Sequence, residues 1–278
     1  MRYLKEVLGA RELLANLTLR EVRGQYKRTI FGQLWSLANP LASMLTYTIV
    51  FAFILRVEPE PGDPSGLNIF AVWLLCGLLP WTFFSNVVQH GMGSILGNAG
   101  LVQKVYFPRI VLPLSKVGSV GYNWLFEMGV LVVVLVICGA FVWPWLPLVL
   151  LTMVVLAMFA AGLALMLAVA NVHFRDTQYF VSILLQIWMY LTPIIYPISL
   201  VADQSAKFGG LFGTSVTILD VYQLNPLERF VAVFRQLLYD NRWPDPQDFL
   251  FCVLWALAAF VIGLWVFRKS EKGLAEAL

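Results

Sequence analysis

The 278-residue chain is 60% hydrophobic and only 13% charged, whereas a soluble domain is about half apolar and a quarter charged. That balance excludes a water-soluble globular fold and makes lipid the main solvent of an all-α integral membrane protein. The net charge of +3 is small, and no soluble basic domain is present to bind nucleic acid.

Residues 1–33 form a charged N-terminal segment. It does not read as a cleavable signal peptide, because charge runs through it and the apolar run that follows is too long for an h-region. Within it, Leu17–Gly32 sets Leu19, Val22 and Tyr26 on one helical face, with Arg20, Arg23 and Lys27 on the adjoining face. This pattern predicts a helix lying in the membrane interface with cations at headgroup level. One reading is an anchor that sets topology. The other is a docking site where cations meet an anionic, lipid-linked substrate.

Residues 34–278 then read as a six-span domain. The apolar runs are Leu34–Leu55, Ile69–Val88, Val117–Phe141, Leu146–Ala170, Tyr179–Leu200 and Phe249–Phe267, each near the ~20 helical residues a bilayer requires. Pro59, Pro61, Gly62 and Pro64 mark the first outer loop, and Pro144 and Pro147 a tight hairpin. A seventh run, Leu224–Leu238, carries Glu228, Arg229 and Arg235 and is too charged and too short to span. With the N-terminus inside, inner segments hold fourteen Lys and Arg and outer segments five. The positive-inside rule therefore puts both ends in the cytoplasm.

The inner loop 89–116 contains Leu101-Val102-Gln103-Lys104-Val105-Tyr106-Phe107-Pro108-Arg109. A short helix stopped by Pro108 is expected, either as an ordinary basic loop or as a contact surface for a cytoplasmic partner. The outer segment 199–248 is too long to be structureless. Asn225-Pro226 is a natural helix start within it, giving either a re-entrant lid or a peripheral helix. Glu127 is the only acid placed mid-span, with Asn123 one turn before it. Such a group faces protein or water, as a pathway residue or as a structural carboxyl. A single acid is not a relay, which argues against a proton-driven carrier.

Aromatic residues make up 14% of the chain. Trp35, Trp81, Trp143, Trp145, Trp243 and Trp265 fall at predicted span ends, where interfacial belts form. Trp73, Phe83, Phe84, Tyr122, Trp124, Phe126, Trp188 and Tyr190 fall deeper, as core residues or as flat surfaces for a sliding glycan. Cys76, Cys138 and Cys252 read as small apolar residues without metal-site spacing. There is no P-loop, H-E-x-x-H or G-x-S-x-G motif, so no active site or nucleotide site is expected here.

Four segments in order resemble the membrane subunit of ABC exporters for polysaccharides, the family that moves O-antigen, teichoic acid, capsule and galactan precursors. They are Leu17–Lys27 with Gly32-Gln33-Leu34-Trp35-Ser36-Leu37 and Asn39-Pro40; Lys104-Val105-Tyr106-Phe107-Pro108-Arg109; Asn171-Val172-His173-Phe174-Arg175-Asp176; and Leu224-Asn225-Pro226-Leu227. Glu21 departs from the pattern, where many members carry Asp. The first span and outer loop look most like the actinobacterial branch, which exports galactan.

The resemblance implies two copies of this chain paired with two separate ATPase subunits that hold ATP and Mg²⁺, and no cofactor in this chain. It makes Gly100–Arg109 the coupling helix, with Leu101, Gln103, Lys104, Tyr106, Phe107 and Arg109 facing the ATPase. It makes Leu17–Arg28 a gate helix, with Arg20, Arg23, Lys27 and Arg28 meeting a polyprenyl diphosphate. The first and fifth spans would line the channel, with Trp35, Tyr47, Phe84, Glu127, Trp188 and Tyr190 as channel or gate residues. Competing readings are a permease for a small drug or lipid, and a membrane-embedded glycosyltransferase. The enzyme reading needs surface acids to hold a metal and a donor, and the short inner connections offer only Asp176.

Overall fold

The computed structural model describes residues 9–27, 29–57, 59, 61–208, 216–271, 273–275 and 277–278. Arg28, expected on the gate helix, lies outside the described residues, as do residues 1–8 and the stretch 209–215 of the outer segment. Among the described residues every regular element is helical, as a lipid-embedded chain requires, because each backbone polar group must find its partner within its own segment.

Among the described residues five helical stretches are long and apolar enough to cross a membrane: Gly32–Ile54, Phe70–Met92, Val111–Ile137, Trp143–His173 and Pro246–Ser270. In chain order the elements are α1 (Arg11–Gln25), α2 (Trp35–Tyr47, continued by a π-helical stretch Thr48–Ile54), α3 (Phe70–Met92), α4 (Ala99–Lys104) and α5 (Val111–Ile137). Then follow α6 (Leu146–His173), α7 (Thr177–Tyr190), α8 (Ile198–Phe208), α9 (Ile218–Gln223), α10 (Pro226–Arg235, continued by a π-helical stretch Gln236–Asp240) and α11 (Pro246–Ser270).

The expected fifth span, Tyr179–Leu200, is not one helix. It divides into α7 and α8 around Leu191–Pro197. Pro193 and Pro197 have no backbone donor to continue a helix, and the Thr192 hydroxyl bonds back to the Trp188 carbonyl at 2.9 Å. At 14 residues, α7 is about 21 Å long, short of the ~30 Å hydrocarbon core.

α3 is the axis of the bundle, touching α2, α5, α6, α7 and α10. Its close approach to α6 depends on small residues: a Cβ on Gly91 would come within 2.7 Å of the Ala164 Cβ. The most extensive pairing is α6 with α11. There a Cβ on Gly263 would overlap the backbone of Gly162, and one on Gly162 would overlap that of Ala259. Small residues let backbones meet where lipid supplies no hydrophobic push between helices.

α10 packs into the end of the bundle opposite α1, against α3 and α11. The Asn225 side chain caps it, accepting from the Leu227 N–H at 3.1 Å, and Pro226 stands at its first turn. Both features follow from the sequence. Its charges, which argue against a span, are its fastenings. Arg229 pairs with Asp248 of α11 and with Glu228 at 3.3 Å. Arg235 lies 3.5 Å over the Trp73 ring and donates to the carbonyls of Pro193 and Ile194, each at 2.7 Å. Tyr239 donates to the Leu67 carbonyl at 2.8 Å, and Trp145 meets Trp243 edge-on at 5.5 Å.

Trp81, expected at a span end, lies mid-α3 and buried, because that helix continues to Met92. The cysteines are free, two buried and Cys138 partly so, in keeping with their reading as small apolar residues.

Candidate functional site

α1 begins earlier than its periodicity suggests and lies on α5. Leu13, Leu14 and Leu17 face the protein, while Leu19 is 48% exposed. Of the Leu19–Val22–Tyr26 stripe only Leu19 is exposed; Val22 and Tyr26 are partly buried, and the Tyr26 hydroxyl is enclosed. Thr18 fixes the register: Gly118 of α5 has no Cβ, and one added there would stand 3.0 Å from the Thr18 side chain. Polar bonds complete the seat. Lys116 Nζ donates to Glu21 at 2.5 Å, Arg20 to Glu21 at 3.1 Å, and the Asn123 amide to Gln25 Oε1 at 2.9 Å. Burial alone would raise the Glu21 carboxyl, but the hydrogen bonds and charges of Lys116 and Arg20 outweigh it and hold Glu21 below its usual range.

Between α1, α3 and α5 opens a cavity of about 740 Å³. Arg20, Glu21, Lys116, His90 and Gln89 line it together with Gly93, Ser94, Gly97 and Asn98. Glu21 is shared by Arg20 and Lys116, so two cations face one carboxylate, and the remaining positive charge suits an anionic oxygen ligand such as a phosphate ester. Of the expected headgroup residues, Arg20 lines the cavity, while Arg23 and Lys27 are exposed and stand outside its lining. Lys116 and His90 were missed as members. They lie some seventy or more positions from Arg20 in sequence, and no local pattern joins them to it.

Arg20 also donates to Asn98 Oδ1 at 3.1 Å. Asn98 is the N-cap position of α4, so the cavity wall and this short helix touch directly. α4 stops where expected, ahead of Pro108, and presents an uneven surface. Val102 is buried and Leu101 partly so; Gln103, Lys104 and Val105 are exposed, and Tyr106 is 99% exposed at the tip. Phe107 packs into the protein. Arg109 is engaged inside the chain, its N–H donating to Glu271 Oε1 at 2.8 Å and its guanidinium to the Glu271 carbonyl.

A second, smaller cavity of about 170 Å³ adjoins the first and shares Gln25, His90 and Val120 with it. Glu127 and Trp35 line this inner cavity. Phe84 is fully buried in an aromatic cluster, stacked on Phe159 at 5.5 Å and edge-on to Trp188 at 5.4 Å. Trp188 donates to Asn225 Oδ1 at 2.8 Å. Tyr47 sits edge-on to Phe51, and Tyr190 is exposed at the end of α7. The six expected pathway residues thus fall in three places rather than along one surface.

Residues 12–209 match the model of the ABC-2 type transporter family. The chain belongs to that family. This ABC-2 membrane protein is 33% identical to the O-antigen export system permease protein RfbA of Myxococcus xanthus, with all of both chains covered. It is 29% identical to RfbA of Klebsiella pneumoniae, covering 96% of this chain and 95% of that one. To the polysialic acid transport protein KpsM of Escherichia coli it is 24% identical over 93% of each. The family resemblance drawn from four short segments is thereby established over the full length. The ABC-2 chain is a transporter subunit, not an enzyme.

Proposed function

We propose that this chain is the permease of an ATP-driven exporter that carries a polyprenyl-diphosphate-linked polysaccharide across the bacterial cytoplasmic membrane. The observation that carries this reading is the end-to-end match to a protein named as an O-antigen export permease. O-antigen as cargo has the support of that relative, whereas galactan rests on the wording of the first span and outer loop alone. In this reading two copies of the chain assemble with two copies of a separate ABC ATPase, which bind ATP and Mg²⁺.

Both ends are cytoplasmic, in keeping with the Lys and Arg count of the loops. The sixth crossing is α7 together with the Leu191–Pro197 turn, and α10 is a re-entrant helix beneath the outer surface. The exposed faces of α2 and α7 fit a channel shared between two copies. The diphosphate docks in the 740 Å³ cavity against Arg20 and Lys116, with Arg23, Lys27 and Arg28 drawing it from the headgroup layer. The exposed Gln103, Lys104 and Tyr106 meet the ATPase, which closes on ATP and shifts the spans toward an open state.

Co-expression with ABC ATPases encoded by the same organism tests this. The two chains should purify together, and Tyr106→Ala with Lys104→Ala should lower lipid-stimulated ATP hydrolysis about tenfold or more. A chain that purifies alone, or ATPase activity untouched by the double variant, overturns the assignment.

A further inference from the structure

The inner cavity has a composition the diphosphate site does not need. Its lining carries the Glu127 carboxylate, the Asn123 amide and the Trp124 indole, each more than nine-tenths buried. Asn123 Oδ1 and Trp124 Nε1 are buried without a hydrogen-bond partner, as are the Tyr26 and Ser36 hydroxyls in the same lining, and the Glu127 carboxylate lies near enough to Tyr26 to act on it electrostatically. Buried polar atoms left open in this way are costly and aim at something that fits. Trp124 is held rigid for the purpose, stacked on Phe83 at 4.0 Å and edge-on to Phe234 at 5.9 Å. Trp35, half exposed, supplies an indole face at the rim.

The set mixes acceptors (Glu127, Asn123 Oδ1) with a donor (Trp124 N–H). A metal ion has no use for an indole N–H, and among the described residues no cluster of three metal-ligating side chains exists. A phosphate would be repelled by the carboxylate. A hydroxyl both donates and accepts, so a ring bearing several hydroxyls meets this mixed set of donors and acceptors, the Tyr26 and Ser36 hydroxyls included, while an aromatic face covers its C–H side. The volume, about 170 Å³, is below the ~300 Å³ at which pockets for drug-sized ligands begin. It suits one ring, not an oligosaccharide.

We infer that Glu127, Asn123 and Trp124 bind a single sugar ring, the one joined to the diphosphate of the lipid-linked substrate. This rests on the exporter reading above and deepens it. The wall shared through Gln25 and His90 sets the sugar pocket beside the cationic cavity, so one molecule spans both: phosphates on Arg20 and Lys116, first sugar on Glu127. The two cavities together would tell a glycosylated carrier from a bare one before transport begins.

The test uses the purified permease–ATPase complex in nanodiscs and two probes, a polyprenyl diphosphate and the same lipid bearing one N-acetylhexosamine. The wild type should bind the glycosylated lipid at least tenfold more tightly. Glu127→Gln should reduce that advantage about tenfold, and Trp124→Phe, which keeps a six-membered ring to stack on Phe83 and removes the pyrrole ring with its N–H, about threefold. Binding of the bare lipid should not change in either variant. Thermal unfolding of each variant checks that it folds, and Trp124→Phe carries the test if Glu127→Gln does not. Equal wild-type affinity for the two lipids, or an advantage that survives in the folded variants, overturns the sugar pocket while leaving the exporter reading in place. Binding of neither lipid overturns both.

Discussion

The first and second membrane-length helices are both 23 residues long and equal in mean hydropathy, yet they live in opposite surroundings. Of the most apolar window in Phe70–Met92, 78% is buried within the chain; in Gly32–Ile54 it is 6%. Hydropathy registers the transfer of a helix from water into lipid or protein alike, and so cannot tell the two apart. What separates them is texture. α3 carries Gly77 and Gly91, whose missing side chains admit Arg235 and Ala164. The first span shows Leu45, Ile49, Phe53 and Ile54 outward, a face for lipid or for a second copy.

The contrast breaks most sharply at Gly91. Gly91→Leu must push α3 off α6 at Ala164 and is expected to cost about 3 kcal/mol, read as a loss of folded protein in detergent thermal unfolding. Next is Arg235→Met, which removes the cation over Trp73 and leaves the Pro193 and Ile194 carbonyls without their donor. About 2 kcal/mol of destabilisation is expected in the same assay. The smallest effect belongs to the first span. Leu45→Ala with Phe53→Ala should change the stability of the single chain by less than about 1 kcal/mol, yet weaken pairing of two copies in cross-linking. A large loss of stability from that double variant would show that α2 is packed like α3 after all.

Much of the fold is legible in the order of residues alone. Apolar runs and proline punctuation place most membrane-length helices within a few residues, and Asn225-Pro226 announces α10. The fifth run misleads because its composition stays apolar across Leu191–Pro197 while its backbone leaves the helix there, with two prolines, Pro193 and Pro197, in one short stretch where α2 and α3 each pass through a single one. α1 is legible as an amphipathic helix but its docking face is not. The residues seated on the bundle, Leu13, Leu14 and Leu17, lie N-terminal to the expected stripe, and the room for Thr18 beside them comes from Gly118, about a hundred positions on. In the site, Arg20 and Glu127 stand out, one as a cation on a periodic face and the other as a lone mid-span acid. Lys116, His90 and Trp124 do not, since a loop cation, a solitary imidazole and an ordinary aromatic gain their meaning only from what folds beside them.

The glycine contact between α6 and α11 carries a mechanical consequence. With Gly162 and Gly263 backbone to backbone, no side chain lies between the helices at that crossing to swing or re-pack, and the joint is expected to hold one position. These two rods form a rigid keel, and any stroke delivered by a motor must be taken up by hinges elsewhere. Spin labels placed at the far ends of α6 and α11 should hold one spacing through a full nucleotide cycle while labels on α2 drift apart.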